Sequence, residues 1–135
     1  MPVTIDWMGG LRNVASDDSG HAIIVESQRQ GTPIGFSATR LVLIAAGCCL
    51  INHLVEVLEK KRLAIKKIRV LADGQRSEQH PKKFTAISLV FEVQADITQE
   101  SLQELLAMLK EKYCSVFNSL DPSIPVKIAS RVISE

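Results

Sequence analysis

Aromatic side chains are scarce in this chain: one Trp, one Tyr and four Phe make up 4% of it. That is too few for the stacking platforms on which single-stranded nucleic acids lie. Neither charge sign dominates, with 16 Lys and Arg against 15 Asp and Glu and a net charge of +1. No strong field is aimed at a polyanion, and no nucleic-acid partner is expected. The clusters Lys60-Lys61-Arg62 and Lys66-Lys67 read as a solvated helix end and its surroundings. The longest unbroken apolar run, Leu41 to Ile51, falls short of the roughly 20 residues that span a bilayer, so no membrane is expected either. The opening MPVTIDWMGG has no basic start followed by an apolar run, which predicts no secretory signal and a cytoplasmic location. Three cysteines, Cys48, Cys49 and Cys114, are an odd number and make no disulfide framework in such a compartment. No close-spaced CxxC pattern accompanies them, so neither a metal nor a cofactor is expected.

What is present is a well-supplied core. Hydrophobic residues make up 46% and charged residues 23% of 135 residues, which excludes a disordered chain and predicts one domain over 1–135. The N-terminal third reads as a β-meander. Val3 to Trp7 alternates, with Trp7 expected in the core; Gly9-Gly10 turns; Leu11 to Ala15 extends; Asp17 to Gly20 turns again; His21 to Glu26 is β-branched. After a loop from Gln28 to Gly35, Ser37 or Thr39 can cap a helix running to about Arg62. Its first half is apolar all round and is expected to be buried on every side, while its second half narrows to a stripe of Leu50, Ile51, Leu54, Val55 and Leu58.

Beyond the helix, Ile68 to Leu71 and Phe84 to Val93 read as strands, with the polar ADGQRSEQHPKK as the connector between them. Thr98 caps a second helix with Leu102, Leu105, Leu106 and Leu109 on one face; Ser115 to Leu120 makes a further short helix, and Val126 to Ile133 a last strand. The resulting order, β-β-β-α-β-β-α-(α)-β, is a mixed α+β fold without the βαβ alternation of a doubly wound sheet. A helix apolar on all faces in so short a chain also predicts cover from a second subunit, that is, a homodimer.

Chemistry concentrates on the cysteines. Adjacent helical residues point about 100° apart, so only one of Cys48 and Cys49 can face a given pocket. His53 lies one turn after Cys49 on the same face, where an imidazole can stabilise or deprotonate a thiol, or serve only as a packed interface residue. His21 and His80 adjoin turns and read as surface residues.

Three stretches, SATRLVLIAAGCCLINHLVEVLEKKR, EQHPKKFTAISLVF and LKEKYCSVFNSL, taken in order and spacing, resemble the OsmC/Ohr superfamily (osmotically induced protein C and organic hydroperoxide resistance), and within it the YhfA-like subgroup. Ungapped register from Ser37 through Phe84 puts Cys49 on the family's first cysteine, and YCSV puts Cys114 on its second. Cys48 is then expected to be a core filler. The resemblance implies an intertwined α/β homodimer with central buried helices and sites at the subunit interface. It also implies a thiol peroxidase in which Cys49 attacks an organic hydroperoxide and becomes a sulfenic acid, Cys114 closes a disulfide with it, and a dithiol reductant restores the pair. Family peroxidases carry a proline and a glutamate before the helix that help to hold an arginine over the thiolate. Here that stretch is Ser37-Ala38-Thr39-Arg40, so the cation can come from Arg40 itself, or from Arg12 or Arg29. A second reading keeps the fold as a dimeric binding protein for a small apolar or thiol-bearing ligand at the interface, with peroxidase activity weak or lost.

Overall fold

The computed structural model describes residues 1–27 and 31–134. They fall into two compact units, Met1–Val42 and Leu43–Glu135. In the first, β1 (Thr4–Trp7), β2 (Arg12–Ser16) and β3 (Ala22–Glu26) form an antiparallel meander in sequence order. Gly9 and Gly10 both have positive φ, which suits the sharp reversal between β1 and β2. At the next turn the Asp17 carboxylate accepts from the N–H groups of Ser19 and His21 and from the His21 ring. Trp7 does not enter a core. It is 73% exposed, and its Nε1 donates to the Gly10 carbonyl, because all of short β1 is open on both faces.

Helix α1 (Ala38–Lys60) starts in the first unit and continues into the second. Ser37 is its cap, with the hydroxyl accepting from the Arg40 N–H. The expectation of burial all round is corrected here. Ala46, Gly47, Leu50, Leu54 and Leu58 are buried, but Ile44, Ala45 and Cys48 are exposed, so one apolar face of the helix stays open within the chain. Its length and composition would suffice to cross a bilayer, yet its buried leucines belong to the protein core.

In the second unit β4 (Ile65–Arg76) and β5 (Phe84–Ala95) pair antiparallel, and β6 (Val126–Val132) joins β5 in parallel, giving the order β4-β5-β6. The strand β4 runs further than its hydrophobic pattern suggested, because β5 alternates long enough to pair Ala72 with Leu89 and Gly74 with Ile87. Much of the polar connector is therefore strand. Gly74 is required there: a Cβ would lie 2.5 Å from the Phe84 ring. One face of β5 (Ile87, Leu89, Phe91, Val93) packs in a single core with Leu50, Leu54 and Leu58 of α1 and Leu102, Leu106 and Leu109 of α2 (Gln99–Lys112). Thr98 caps α2 by accepting from the Ser101 N–H at 3.2 Å.

Two glutamines on α2 hold it to β6. Gln99 donates to the Ser130 carbonyl at 2.7 Å and accepts from the Val132 N–H at 2.8 Å, and Gln103 donates to the Ile128 carbonyl at 2.8 Å. The first half of α2 is thereby tied to the sheet, and the helix leads at its other end into Tyr113-Cys114 and the short α3 (Ser115–Asn118).

Candidate functional site

The α2–α3 junction is built by hydrogen bonds that the chain makes with itself. The N–H groups of Tyr113 and Cys114 both donate to the Leu109 carbonyl, ending α2. Asn118 Nδ2 donates to the carbonyls of Lys110, Glu111 and Cys114 and so ties α3 back onto the end of α2. Cys114 caps α3, with its sulfur accepting from the Phe117 N–H at 3.4 Å. It is 0% exposed and lies in the core cluster beside Leu109 and Phe117.

Cys49 reaches this junction from the middle of α1. Its sulfur is 3.8 Å from the Ser115 hydroxyl, with the Cys114 side chain and the N–H groups of Val116 and Ser115 as the neighbouring donors that act on it. Burial pushes the Cys49 thiol up, but these donors, that of Val116 foremost, outweigh it and hold it below the ordinary thiol range. Cys114 moves the other way. Burial raises it, and the neighbouring Cys49, as a hydrogen-bond partner and as a charge, raises it further against the donation from Phe117. One thiol is thus biased toward the anion and its neighbour toward the neutral form. All three cysteines are free thiols.

The other candidates are placed as follows. Cys48 is exposed, so its expected role as a core filler is corrected: it lies on the open face of α1, turned about 100° from Cys49. His53 is half-buried, and its ring pairs with that of Tyr113 at a centroid distance of 6.3 Å and a tilt of 48°, which brings it to the residue just before Cys114. Arg40 is exposed in the first turn of α1, within the first unit. Arg12 donates to the Glu26 carboxylate at 2.6 Å in that unit. Arg29 lies outside the described residues. His21 and His80 are exposed, as expected of residues beside turns. Among the described residues no group of three or more His, Cys, Asp or Glu side chains is arranged to hold a metal ion.

The groups that residue patterns did not single out are the backbone donors of Ser115, Val116 and Phe117 and the amide of Asn118. Main-chain donors leave no mark on residue identity. Asn118, a polar residue at the end of the YCSVFN segment, was the one visible hint.

With this geometry in view, the comparisons with known proteins are informative. The OsmC-like protein family matches residues 30–129, and this chain belongs to it. Protein YhfA of Escherichia coli is 28% identical over 135 residues, covering 99% of both chains. A hypothetical protein from Aquifex aeolicus superposes with a TM-score of 0.86 at 25% identity, covering 99% of this chain and 96% of that one. The organic hydroperoxide resistance protein OhrB of Bacillus subtilis shares the fold at a TM-score of 0.70 and 19% identity, covering 96% of each chain.

Proposed function

We propose that this chain is a thiol peroxidase that reduces organic hydroperoxides through Cys49 and Cys114. The observation that carries the reading is the Cys49 sulfur set against Cys114 and the N–H groups of Ser115 and Val116, with its pKa lowered while that of its neighbour is raised. Such a thiolate is the nucleophile that peroxide chemistry needs. The Cys49 thiolate attacks the outer oxygen of the hydroperoxide, an S–O bond forms, the O–O bond breaks, and the alkoxide leaves as alcohol after taking a proton. The neighbouring Cys114 sulfur then attacks the Cys49 sulfenic acid; an S–S bond forms and water leaves. A dithiol reductant reopens the disulfide and is itself oxidised by two electrons.

In this reading the protein works in the cytoplasm as a single domain, and as a homodimer in which a second copy covers the open α1 face around Ile44, Ala45 and Cys48. Membership of a family that includes hydroperoxide resistance proteins supports the substrate class. Consumption of cumene hydroperoxide with dithiothreitol tests the reading. Cys49→Ser should abolish turnover, and Cys114→Ser, assayed without reductant, should consume one equivalent of hydroperoxide and stop at the sulfenic acid; unchanged consumption in both variants would sink it.

One observation favours the second reading, a dimeric binding protein for a small apolar or thiol ligand. The stretch Ser37 to Arg40 lacks the family's carboxylate, and Arg40 is exposed. Under that reading no Cys49–Cys114 disulfide would form after peroxide treatment.

A further inference from the structure

The short helix α3 is held in two different ways, one on each side. Cys114 and Phe117 are buried, so the inner side of the segment is fixed by packing against Leu109 and the rest of the core. Packing on one side sets how deep a short segment sits but leaves it free to roll, because apolar contacts have no direction. Direction comes from hydrogen bonds. On the outer side these converge on the exposed Asn118, whose Nδ2 donates to the carbonyls of Lys110 and Glu111, each at 3.2 Å, and to that of Cys114 at 2.8 Å. The main-chain N–H of Asn118 meets the same Cys114 carbonyl at 3.0 Å. Lys110 and Glu111 belong to the last turn of α2, where carbonyls have no partner further along the helix. One amide therefore joins the open end of α2 to the start and the end of α3.

We propose that Asn118 is a positioning residue of the Cys49 site: by clamping α3 to the end of α2 it keeps the N–H groups of Ser115 and Val116 turned toward the Cys49 sulfur. The inference rests on the reading of Cys49 as the nucleophile and deepens it. Ser115 and Val116 lie in the turn bracketed by the Cys114 carbonyl and the Asn118 amide, so a roll of that turn redirects their N–H groups. Donation weakens steeply as the angle at the hydrogen opens, and bonds to an anion have the most to lose. Because donation favours thiolate over thiol, a loosened α3 leaves less of Cys49 ionised at a given pH.

Titratable groups around the junction are Cys114, His53 on α1 with its ring against that of Tyr113, and Lys110 on α2, whose Nζ lies 5.9 Å from the Phe117 ring centroid. Replacing the Asn118 amide by a neutral side chain leaves all of them in place.

The experiment uses the full chain in a Cys48→Ser background, so that the tryptic peptide 41–60 carries Cys49 as its one thiol. Asn118→Ala and Asn118→Leu remove the donors without adding charge, and because residue 118 is exposed neither empties the core. The rate of iodoacetamide labelling of Cys49 is followed against pH by mass spectrometry, with urea unfolding in parallel. In both variants the labelling midpoint should move up, the rate well below the midpoint falling about threefold or more while the plateau at high pH is not lowered. Gln103→Ala, which removes the tie of α2 to the Ile128 carbonyl, is the comparison; it should lower stability and leave the midpoint where it was. An unmoved midpoint in the Asn118 variants overturns the inference. So does an equal shift in Gln103→Ala, or loss of the fold in both Asn118 variants, which would make the amide a requirement of folding. A midpoint at or above the ordinary thiol value of about 8.5 in the Cys48→Ser parent would instead refute Cys49 as the activated nucleophile, and the proposed function with it.

Discussion

At the scale of single residues, the shifts of the two thiols come from burial, from nearby hydrogen-bond donors and, for Cys114, from the charge of Cys49. Against the upward push of burial, Cys49 is brought below the ordinary thiol range by N–H, S–H and O–H donors of the α2–α3 junction. Its alkylation by iodoacetamide should therefore rise with pH about a midpoint below the ordinary thiol value of about 8.5, and that of Cys114 about a midpoint above it, read peptide by peptide. Stability follows with opposite signs for the two thiols. The lowered Cys49 contributes stability that is present above about pH 8.5 and is lost as pH falls through its native pKa, while the raised Cys114 contributes stability that is present below about pH 8.5 and is lost as pH rises through its own. The difference in urea-unfolding free energy between wild type and the Cys49→Ser/Cys114→Ser double variant should peak near pH 8.5; a difference that does not vary with pH would contradict the asymmetry. The sequence located both sulfurs through the family register. It could not show what tunes them, since the donors are main-chain groups of Ser115, Val116 and Phe117 whose side chains say nothing about it.

At the scale of elements, the helices were legible because their signals are local. Thr98 is the cap it was expected to be, Ser37 is the cap of the two candidates Ser37 and Thr39, and Leu102, Leu105, Leu106 and Leu109 share the buried face of α2. Two elements misled for a physical reason. The polar half of β4 reads as a loop in isolation and becomes strand only because β5 offers it partners from Ala72 to Arg76. Trp7 reads as core from its chemistry and is open because β1 has too little around it. Gly74 marks how closely β4 and the start of β5 approach. Gly74→Val should cost about 1–3 kcal/mol in urea unfolding by driving a side chain against the Phe84 ring. A Phe84→Ala background should recover part of that loss, because the obstructing ring is gone.

At the scale of the whole molecule, the open face of α1 is one apolar surface that a single chain leaves uncovered. Ile44, Ala45 and Cys48 form an exposed apolar surface in the first half of the helix, and a second copy of the chain is the proposed cover. Light scattering should give twice 14.9 kDa, and Ile44→Asp should shift the population toward the single-chain mass. A single-chain mass for the unaltered protein at micromolar concentration would exclude the dimer.

The contact of α2 with β6 bears on the same question of association. Among the described residues the sheet order β4-β5-β6 leaves one rim of β6 without a neighbouring strand, and the side-chain amides of Gln99 and Gln103 meet the main-chain groups of Ile128, Ser130 and Val132 along it. Two side chains thus do what a further strand would do, and they close that rim to strand addition by another polypeptide. Gln99→Ala/Gln103→Ala should uncover it as a template. The expected result is concentration-dependent growth of thioflavin-binding aggregates under conditions where the unaltered chain stays clear; equal behaviour of the two would show that the amides serve only to hold the helix.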